Sequence, residues 1–442
     1  MARFLLACYP VSGHLNPNLA VASALRARGH EVAIYSGALA REAVQGEGFT
    51  YFPYDQAIDQ HLMPIWFPDP KNTLASDIPI ERSAWRKVSQ IKATLREWFL
   101  STVPQQVEDL RAIIRQWQPD LLVTDISLFG PILVLQESAD IPIAAFCVLL
   151  ACPLPGPDAP VWGRGLPPPR GWVPRLRSRV EQALQDWVLK DFRLAANALR
   201  SQYGLKPIKE SVMGYSGHLP LFLVAGAPEL DYSRHDLPPS VHYVGPCLWH
   251  RAKQEAPPDW LTQLPRGRPM VYVTEGTVHV GEPTLLRSAA QGLGPMDIDL
   301  VMTTGKHRDP ADLRLGGAGP NVRVERYVPH GDLFPRTDVV VTTGGPGTVL
   351  AALVAGVPVV IVPTGWDHAE NAQRIVEAKV GVRLDLQDCT PQRLRSAVET
   401  LLRDPSYRQN AGRMGAALER QGGPLRAAEL LEELLNRSSV TR

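Results

Sequence analysis

Apolar residues in this chain fall into short runs cut by turn-forming residues. Arg3 to Tyr9 is the first such run and predicts a β-strand. After it, Val11-Ser12-Gly13-His14-Leu15 reads as a loop. Asn16 reads as a helix cap, with Pro17 in the first turn, where a missing N–H costs nothing. The predicted helix turns Leu19, Ala22 and Leu25 inward and stops at Gly29, and His30 to Tyr35 forms the next strand. Strand, helix and strand in so few residues predict a parallel pair with a right-handed crossover. Asp120 to Asp125 and Ile141 to Leu150 read as further buried strands.

A second series begins at Met270, with strands expected at 270–274, 298–303, 322–324, 338–342 and 358–362. Between the two series the chain turns polar and carries Pro257-Pro258 and Arg266-Gly267-Arg268-Pro269, the mark of a linker. The expected organisation is a Rossmann-like domain over 1–245, a linker over 246–268, a second Rossmann-like domain over 269–424, and an amphipathic helix with tail over 425–442. That helix shows no packing partner in the sequence. Val339 to Trp366 contains no charged residue. Gly344-Gly345-Pro346-Gly347, Gly356, Pro358 and Pro363 break it into strand, turn, helix, turn and strand, so it predicts a buried α/β core rather than a membrane span.

Composition narrows the function. The 442 residues are 45% apolar, enough for a large core, and 46 Lys and Arg against 45 Asp and Glu leave a net charge of +1. That balance argues against a bulk electrostatic nucleic-acid binder. The five cysteines (Cys8, Cys147, Cys152, Cys247, Cys389) are odd in number and form no C-x-x-C pair. They predict free thiols in a reducing, cytoplasmic setting, without a zinc site or disulfide framework. The N-terminal apolar run is too short for a signal peptide. Residues 153–174 hold eight prolines with Trp162 and Trp172, which predicts irregular chain over a cleft. Arg175, Arg177 and Arg179 follow; they read first as a solvated basic loop and helix start, with contact with a membrane surface or an amphiphilic acceptor as the lesser reading.

Several residues could carry chemistry. Asp338 to Leu353 reads as strand, glycine-rich turn and helix, with Gly345, Gly347 and Thr348 at the helix start. Backbone N–H groups there suit a phosphate, although a plain tight turn fits the same residues. Gly276 and Thr277 follow the first strand of the second series, where open α/β sheets place ligands, and a simple turn is as good a reading. His14, beside Gly13, and Asp125 end neighbouring strands; they fit a general base with its orienting carboxylate, or a surface histidine and an unrelated acid. Asp297-Ile298-Asp299 has the D-x-D form of a metal site, but no other ligand cluster stands nearby, so it reads as the polar start of a strand. Trp66, Phe67, Trp85, Trp98 and Phe99 suggest apolar surface near the cleft, or core.

Taken together, these residues resemble the bacterial natural-product branch of the family-one, UDP-glycosyltransferase-like enzymes. The resemblance rests on Ser12-Gly13-His14-Leu15-Asn16-Pro17, the Asp120 to Asp125 strand, Pro269 to Thr277 and Tyr327-Val328-Pro329-His330. It continues through Gly344 to Thr348, Ala355 to Pro358, and Pro363 with Asp367 and Glu370-Asn371-Ala372. It implies a GT-B fold, two facing Rossmann-like domains with the active site between them. It also implies an inverting, metal-independent hexosyltransferase acting from a UDP- or dTDP-sugar on a hydroxyl of a small apolar acceptor, such as a polyketide or macrolide. No cofactor beyond that co-substrate is implied. His14 would be the base and Asp125 its partner. Gly13 would also meet the donor; Gly276, Thr277, Thr343, Gly345, Gly347 and Thr348 would hold the diphosphate, Tyr327 and Val328 the nucleobase, and Asp367 with His368 the sugar. Thr343 stands where many relatives carry His, His368 departs from the usual Asp-Gln pair, and Ala351 replaces the glutamate of plant members. A sterol or lipid glycosyltransferase, a sugar-nucleotide epimerase and a catalytically silent sugar-nucleotide-binding protein are the alternatives.

Overall fold

The computed structural model describes residues 1–66, 96–249, 258–263, 267–276, 282–305, 308–313, 319 and 321–440. The first sheet contains β1 (Arg3–Ala7), β2 (Glu31–Ser36), β3 (Thr50–Pro53), β4 (Leu121–Asp125), β5 (Ile143–Cys147), β6 (Phe222–Val224) and β7 (Val241–Tyr243), in the order β3-β2-β1-β4-β5-β6-β7. The second contains β8 (Met270–Thr274), β9 (Asp299–Thr303), β10 (Val322–Glu325), β11 (Val339–Thr342), β12 (Val359–Ile361) and β13 (Gly381–Arg383), in the order β10-β9-β8-β11-β12-β13. All pairings are parallel, as in β1 with β2 and β8 with β11. The helices that matter below are α1 (Ser12–Ala27), α2 (Val103–Trp117), α3 (Trp172–Val188), α4 (Lys190–Gln202), α5 (Thr284–Leu293), α6 (Pro346–Val354), α7 (His368–Glu377), α8 (Pro391–Arg403), α9 (Pro405–Arg420) and α10 (Gly423–Val440).

Parallel strands are covered on both faces, so they read as unbroken apolar runs. In β1, Leu5 and Ala7 join the core beneath α2 with Val107 and Leu110, while Phe4 and Leu6 join the core beneath α1 with Leu19 and Leu25. In β11, Val340 packs with Leu350 and Leu353 of α6, while Val339 and Val341 pack with Leu286 of α5 and Leu394 of α8. The uncharged stretch breaks up as expected into β11, α6 and β12. No helix among the described residues is long and apolar enough to cross a membrane.

Four strands carry no readable sequence signal. β6 and β13 are three residues each, too short to show a period, and β3 and β7 are half-buried. The proline-rich segment is irregular up to Gly171, and α3 starts at Trp172 with Pro174 inside its first turn. The last helix finds its partner far away in sequence. Ala427, Ala428, Leu431 and Leu434 of α10 enter the core of the first sheet beside Leu19, Val21 and Leu25 of α1. Glu432 bridges Arg28 at 2.7 Å and His30 at 2.7 Å there. The Arg28 bond holds its carboxyl down at about 2. All five cysteines are buried and free.

Candidate active site

Strand order reverses beside β1 in the first sheet and beside β8 in the second, and ligands of open α/β sheets bind at such points, outside the carboxyl ends of the strands. Helix α1 begins at Ser12, five residues earlier than a cap at Asn16 predicts, so His14 sits in its first turn rather than in a loop. The reason lies in the backbone: Val11 is extended, and its carbonyl accepts from His14 N and Leu15 N at 2.9 Å each. Pro17 therefore lies inside the helix rather than in its first turn, and its missing N–H removes the bond that residue 17 would give to Gly13 O. Asn18 Nδ2 donates to His14 O at 2.9 Å, which ties that turn down.

This placement brings His14 to Asp125. The two are 111 residues apart, yet Nδ1 and Asp125 Oδ2 are 2.5 Å apart, and the carboxylate is fully buried while the imidazole is 24% exposed. Asp125 Oδ1 accepts Ser127 N at 2.9 Å. A carboxylate only accepts, so Nδ1 carries the proton and Nε2 keeps its lone pair. Burial lowers the proton affinity of His14, but the charge and hydrogen bond of Asp125, with a contribution from Asp367, outweigh it and leave the imidazole above its ordinary range. Tyr9 packs edge-on to the imidazole at 5.6 Å and donates its hydroxyl to Ser127 O at 3.0 Å.

The second sheet supplies the facing wall. Gly345 caps α6 and Pro346 holds the first position, so the N–H groups of Gly347 and Thr348 have no acceptor within the helix. A Cβ on Gly345 or Gly347 would meet nothing within 4 Å, which leaves open space before the helix end. Gly344 is different: it is left-handed (φ 106°), and a Cβ there would lie 2.8 Å from Ile361 Cγ2. Thr343 Oγ1 donates to Glu275 O at 3.3 Å, and Gly276 turns with φ 80°. Burial raises the Glu275 carboxyl, and Arg308 opposes this from 2.7 Å. Thr277 lies outside the described residues. Asp367 caps α7, and Asn371 Nδ2 donates to both Asp367 Oδ2 and Gly344 O at 2.8 Å, joining the two loops. His368, 3.2 Å from Thr364 Oγ1 through Nδ1, is driven below its ordinary value by burial.

One cavity of about 1660 Å³ joins these walls; Gly13, His14, Gly276, Tyr327, Thr343, Gly345, Gly347, Thr348, Asp367 and His368 all line it. Val328 does not. Its side chain is fully buried in the core of the second sheet, so only its backbone is available to a nucleobase. The neighbouring His330 does line the cavity, stacked on Phe334 at 4.4 Å, and burial lowers it to about 4, so it is neutral near pH 7. Trp98 and Phe99 line the apolar part. Phe67, Trp85 and the Trp66 side chain lie outside the described residues. Asp297 and Asp299 are remote: they meet Arg268 at the amino end of β9, 3.8 and 2.8 Å away, and do not line this cavity.

Residues without a clear sequence signal complete the walls. Trp366 (φ 53°) meets Trp98 of the opposite wall edge-to-face at 4.5 Å, so aromatic contact spans the cleft. Its place next to Asp367 is the one hint the sequence offers. The proline-rich segment is clamped to α7: Glu370 Oε1 accepts Gly163 N and Gly165 N at 2.8 Å each. Arg374, fully buried, pairs with Asp231 at 2.9 Å and Glu370 at 3.0 Å, with Tyr232 4.1 Å below its guanidinium. The segment thus covers the cleft because the second sheet's helix holds it there.

Two parallel-sheet domains sharing one chamber between their carboxyl edges are the architecture of a GT-B glycosyltransferase. The family described as "Erythromycin biosynthesis protein CIII-like" matches twice, its N-terminal domain over residues 23–151 and its C-terminal domain over 287–434. 4'-Demethylrebeccamycin synthase of Lentzea aerocolonigenes is 34% identical over 98% of this chain and 100% of its own. Demethyllactenocin mycarosyltransferase of Streptomyces fradiae is 27% identical over 99% of this chain and 87% of its own. The chain belongs to the erythromycin CIII-like family and is a glycosyltransferase of the bacterial natural-product branch. Among solved structures, the glycotransferase of kitacinnamycin superposes with a TM-score of 0.73 at 25% identity, covering 98% of this chain and 99% of the other. Glycosyltransferase VinC in complex with dTDP superposes with a TM-score of 0.70 at 24% identity, covering 98% and 100%.

Proposed function

We propose that the protein transfers a hexose from a nucleoside-diphosphate sugar to a hydroxyl of a small, largely apolar acceptor, in one step, with inversion and without a metal ion. The His14–Asp125 pair, facing the unpaired N–H groups of α6 across one cavity, carries this reading. His14 Nε2 takes the acceptor proton as the acceptor oxygen bonds to the anomeric carbon. The bond from that carbon to the diphosphate oxygen breaks, and its electron pair leaves with the diphosphate. Asp125 balances the imidazolium. The N–H groups of Gly347 and Thr348, with the hydroxyls of Thr343 and Thr348, stabilise the charge that grows on the leaving group. They do the work a divalent cation does elsewhere.

Asp367 and His368 grip the sugar, with Asn371 holding Asp367 in place. The apolar walls of Trp98, Phe99 and Phe192 suit a flat or macrocyclic acceptor. Two observations favour dTDP over UDP. Ala351 lines the cavity and offers no carboxylate to a ribose hydroxyl. The VinC relative was solved with dTDP. The test is a thermal-shift series with UDP and dTDP, since a ligand at 100 times its Kd raises folding stability by about 2.7 kcal/mol. It is followed by transfer from an α-linked donor. dTDP should give the larger shift and the product should be β-linked. A retained anomeric configuration refutes the one-step reaction, and isomerisation of the donor alone points to an epimerase.

A further inference from the structure

Helix α3 is amphipathic the wrong way round for a surface helix. Its polar side faces the protein: Ser178 Oγ donates to Ala159 O at 2.6 Å, and Gln182 Nε2 to Gly156 O at 2.8 Å and Ala159 O at 2.9 Å. Gln182, Gln185 and Asp186 line the cavity. The outward side is apolar. Trp172, Val173, Leu176, Val180, Leu184 and Trp187 are 53–78% exposed, at spacings of three or four residues that keep them on one stripe, and Leu194 of α4 follows at 60%. Seven of the fourteen exposed large apolar residues among those described therefore lie within 172–194. Single exposed apolar side chains need no explanation, but a continuous stripe marks a docking face.

Charge selects the occupant. By helical position Arg177 flanks the stripe on one side and Arg175 and Arg179 on the other. Residues 170–193 carry six cations (Arg170, Arg175, Arg177, Arg179, Lys190, Arg193) against three acids (Glu181, Asp186, Asp191), in a chain whose net charge is only +1. Glu181 answers Arg177 at 2.9 Å, Asp158 answers Arg175 at 3.0 Å and Glu377 answers Arg170 at 2.6 Å, while Lys190 sits over the Trp187 ring. Trp172 and Trp187 stand within the exposed stripe, as tryptophan does on the apolar face of helices that lie in the interface plane.

We infer that the outer face of α3 docks on an anionic lipid surface, lying in the headgroup plane with its apolar stripe inward and its arginines among the lipid phosphates. The inner face of the same helix lines the chamber, so docking sets the chamber wall against the bilayer. The inference concerns binding and stands apart from the transfer chemistry.

The full chain is sedimented with phosphatidylglycerol–phosphatidylcholine vesicles and with phosphatidylcholine vesicles alone. Binding should need the anionic lipid and weaken with salt. Leu176→Glu/Leu184→Glu should lower the partition constant about tenfold or more, because two apolar contacts become charges facing lipid. Arg177→Gln/Arg179→Gln should reduce binding to the anionic vesicles and leave the small binding to neutral ones unchanged. Retention of the nucleotide-induced thermal shift verifies that each variant is folded. A wild-type protein that stays in the supernatant, or a Leu176→Glu/Leu184→Glu variant that binds as well as wild type, overturns the inference. So does a wild-type dimer that this variant turns into a monomer, since the occupant is then a second copy.

Discussion

Replacing Asp125 by Asn tests the catalytic reading with the smallest change of shape. The side chain is fully buried, and the amide oxygen can still accept Ser127 N. What changes is the group facing His14 Nδ1. An amide NH₂ there donates, so Nδ1 becomes the acceptor and Nε2 takes the proton, which removes the lone pair that deprotonates the acceptor. The negative charge beside the imidazolium is lost as well. The contact is 2.5 Å between heavy atoms. At charge centres about 4 Å apart and an effective dielectric near 20, the lost attraction is about 4 kcal/mol at most. At about 1.4 kcal/mol per tenfold, kcat should fall by roughly two to three orders of magnitude, within the range of general-base effects. The pH profile separates this from simple damage. In the wild type the acid limb of kcat/KM should lie above the ordinary histidine value, since Asp125 outweighs burial and raises His14. The base is active only when neutral, so activity falls as pH drops through that raised value. In Asp125→Asn the limb should move down, because burial remains and the carboxylate does not. The donor Kd should stay near wild type. A variant with wild-type kcat and an unmoved acid limb refutes the assignment.

His14→Ala should lower kcat by about 10²- to 10⁴-fold with the thermal shift by dTDP intact; wild-type turnover on a hydroxyl acceptor excludes the base role. Gly347→Ala places a Cβ in open space before α6, so Tm should be unchanged while donor affinity drops; Gly344→Ala should instead destabilise the fold by about 1–3 kcal/mol, through its left-handed backbone and the contact with Ile361. Calorimetry with and without dTDP checks both, and loss of Tm in Gly347→Ala refutes the anion-site geometry. EDTA should leave activity intact, and activity lost to EDTA and restored by Mn²⁺ contradicts the metal-free reading. Glu432 titrates at about 2 when folded, so its stabilisation is complete above the ordinary carboxyl range and disappears as pH falls toward 2. Glu432→Gln should cost about 1 kcal/mol at pH 7, as its pair lies at the solvent edge, and progressively less as pH falls through about 2. An equal loss at both pH values breaks the link to ionisation.

Much of this protein is decided by neighbours in sequence. Runs such as Phe4 to Ala7 and Val339 to Thr342 become buried parallel strands because no polar side chain interrupts them. Gly344 to Thr348 form a turn into a helix because glycine supplies the left-handed position and proline starts the helix. Local chemistry was enough to single out His14 and Asp125, and not enough to join them. Their contact exists because β1 and β4 pair side by side, and His14 reaches it because Val11 opens the helix before Asn16 does. Val328 and Tyr327 show the same limit: adjacent residues point to opposite sides of the chain, and only the packed sheet decides which faces the chamber. The Trp98–Trp366 contact, the clamp of Glu370 on the proline-rich segment and the return of α10 to α1 join residues hundreds of positions apart. No local pattern encodes them, because each depends on surfaces that exist only after both sheets have formed.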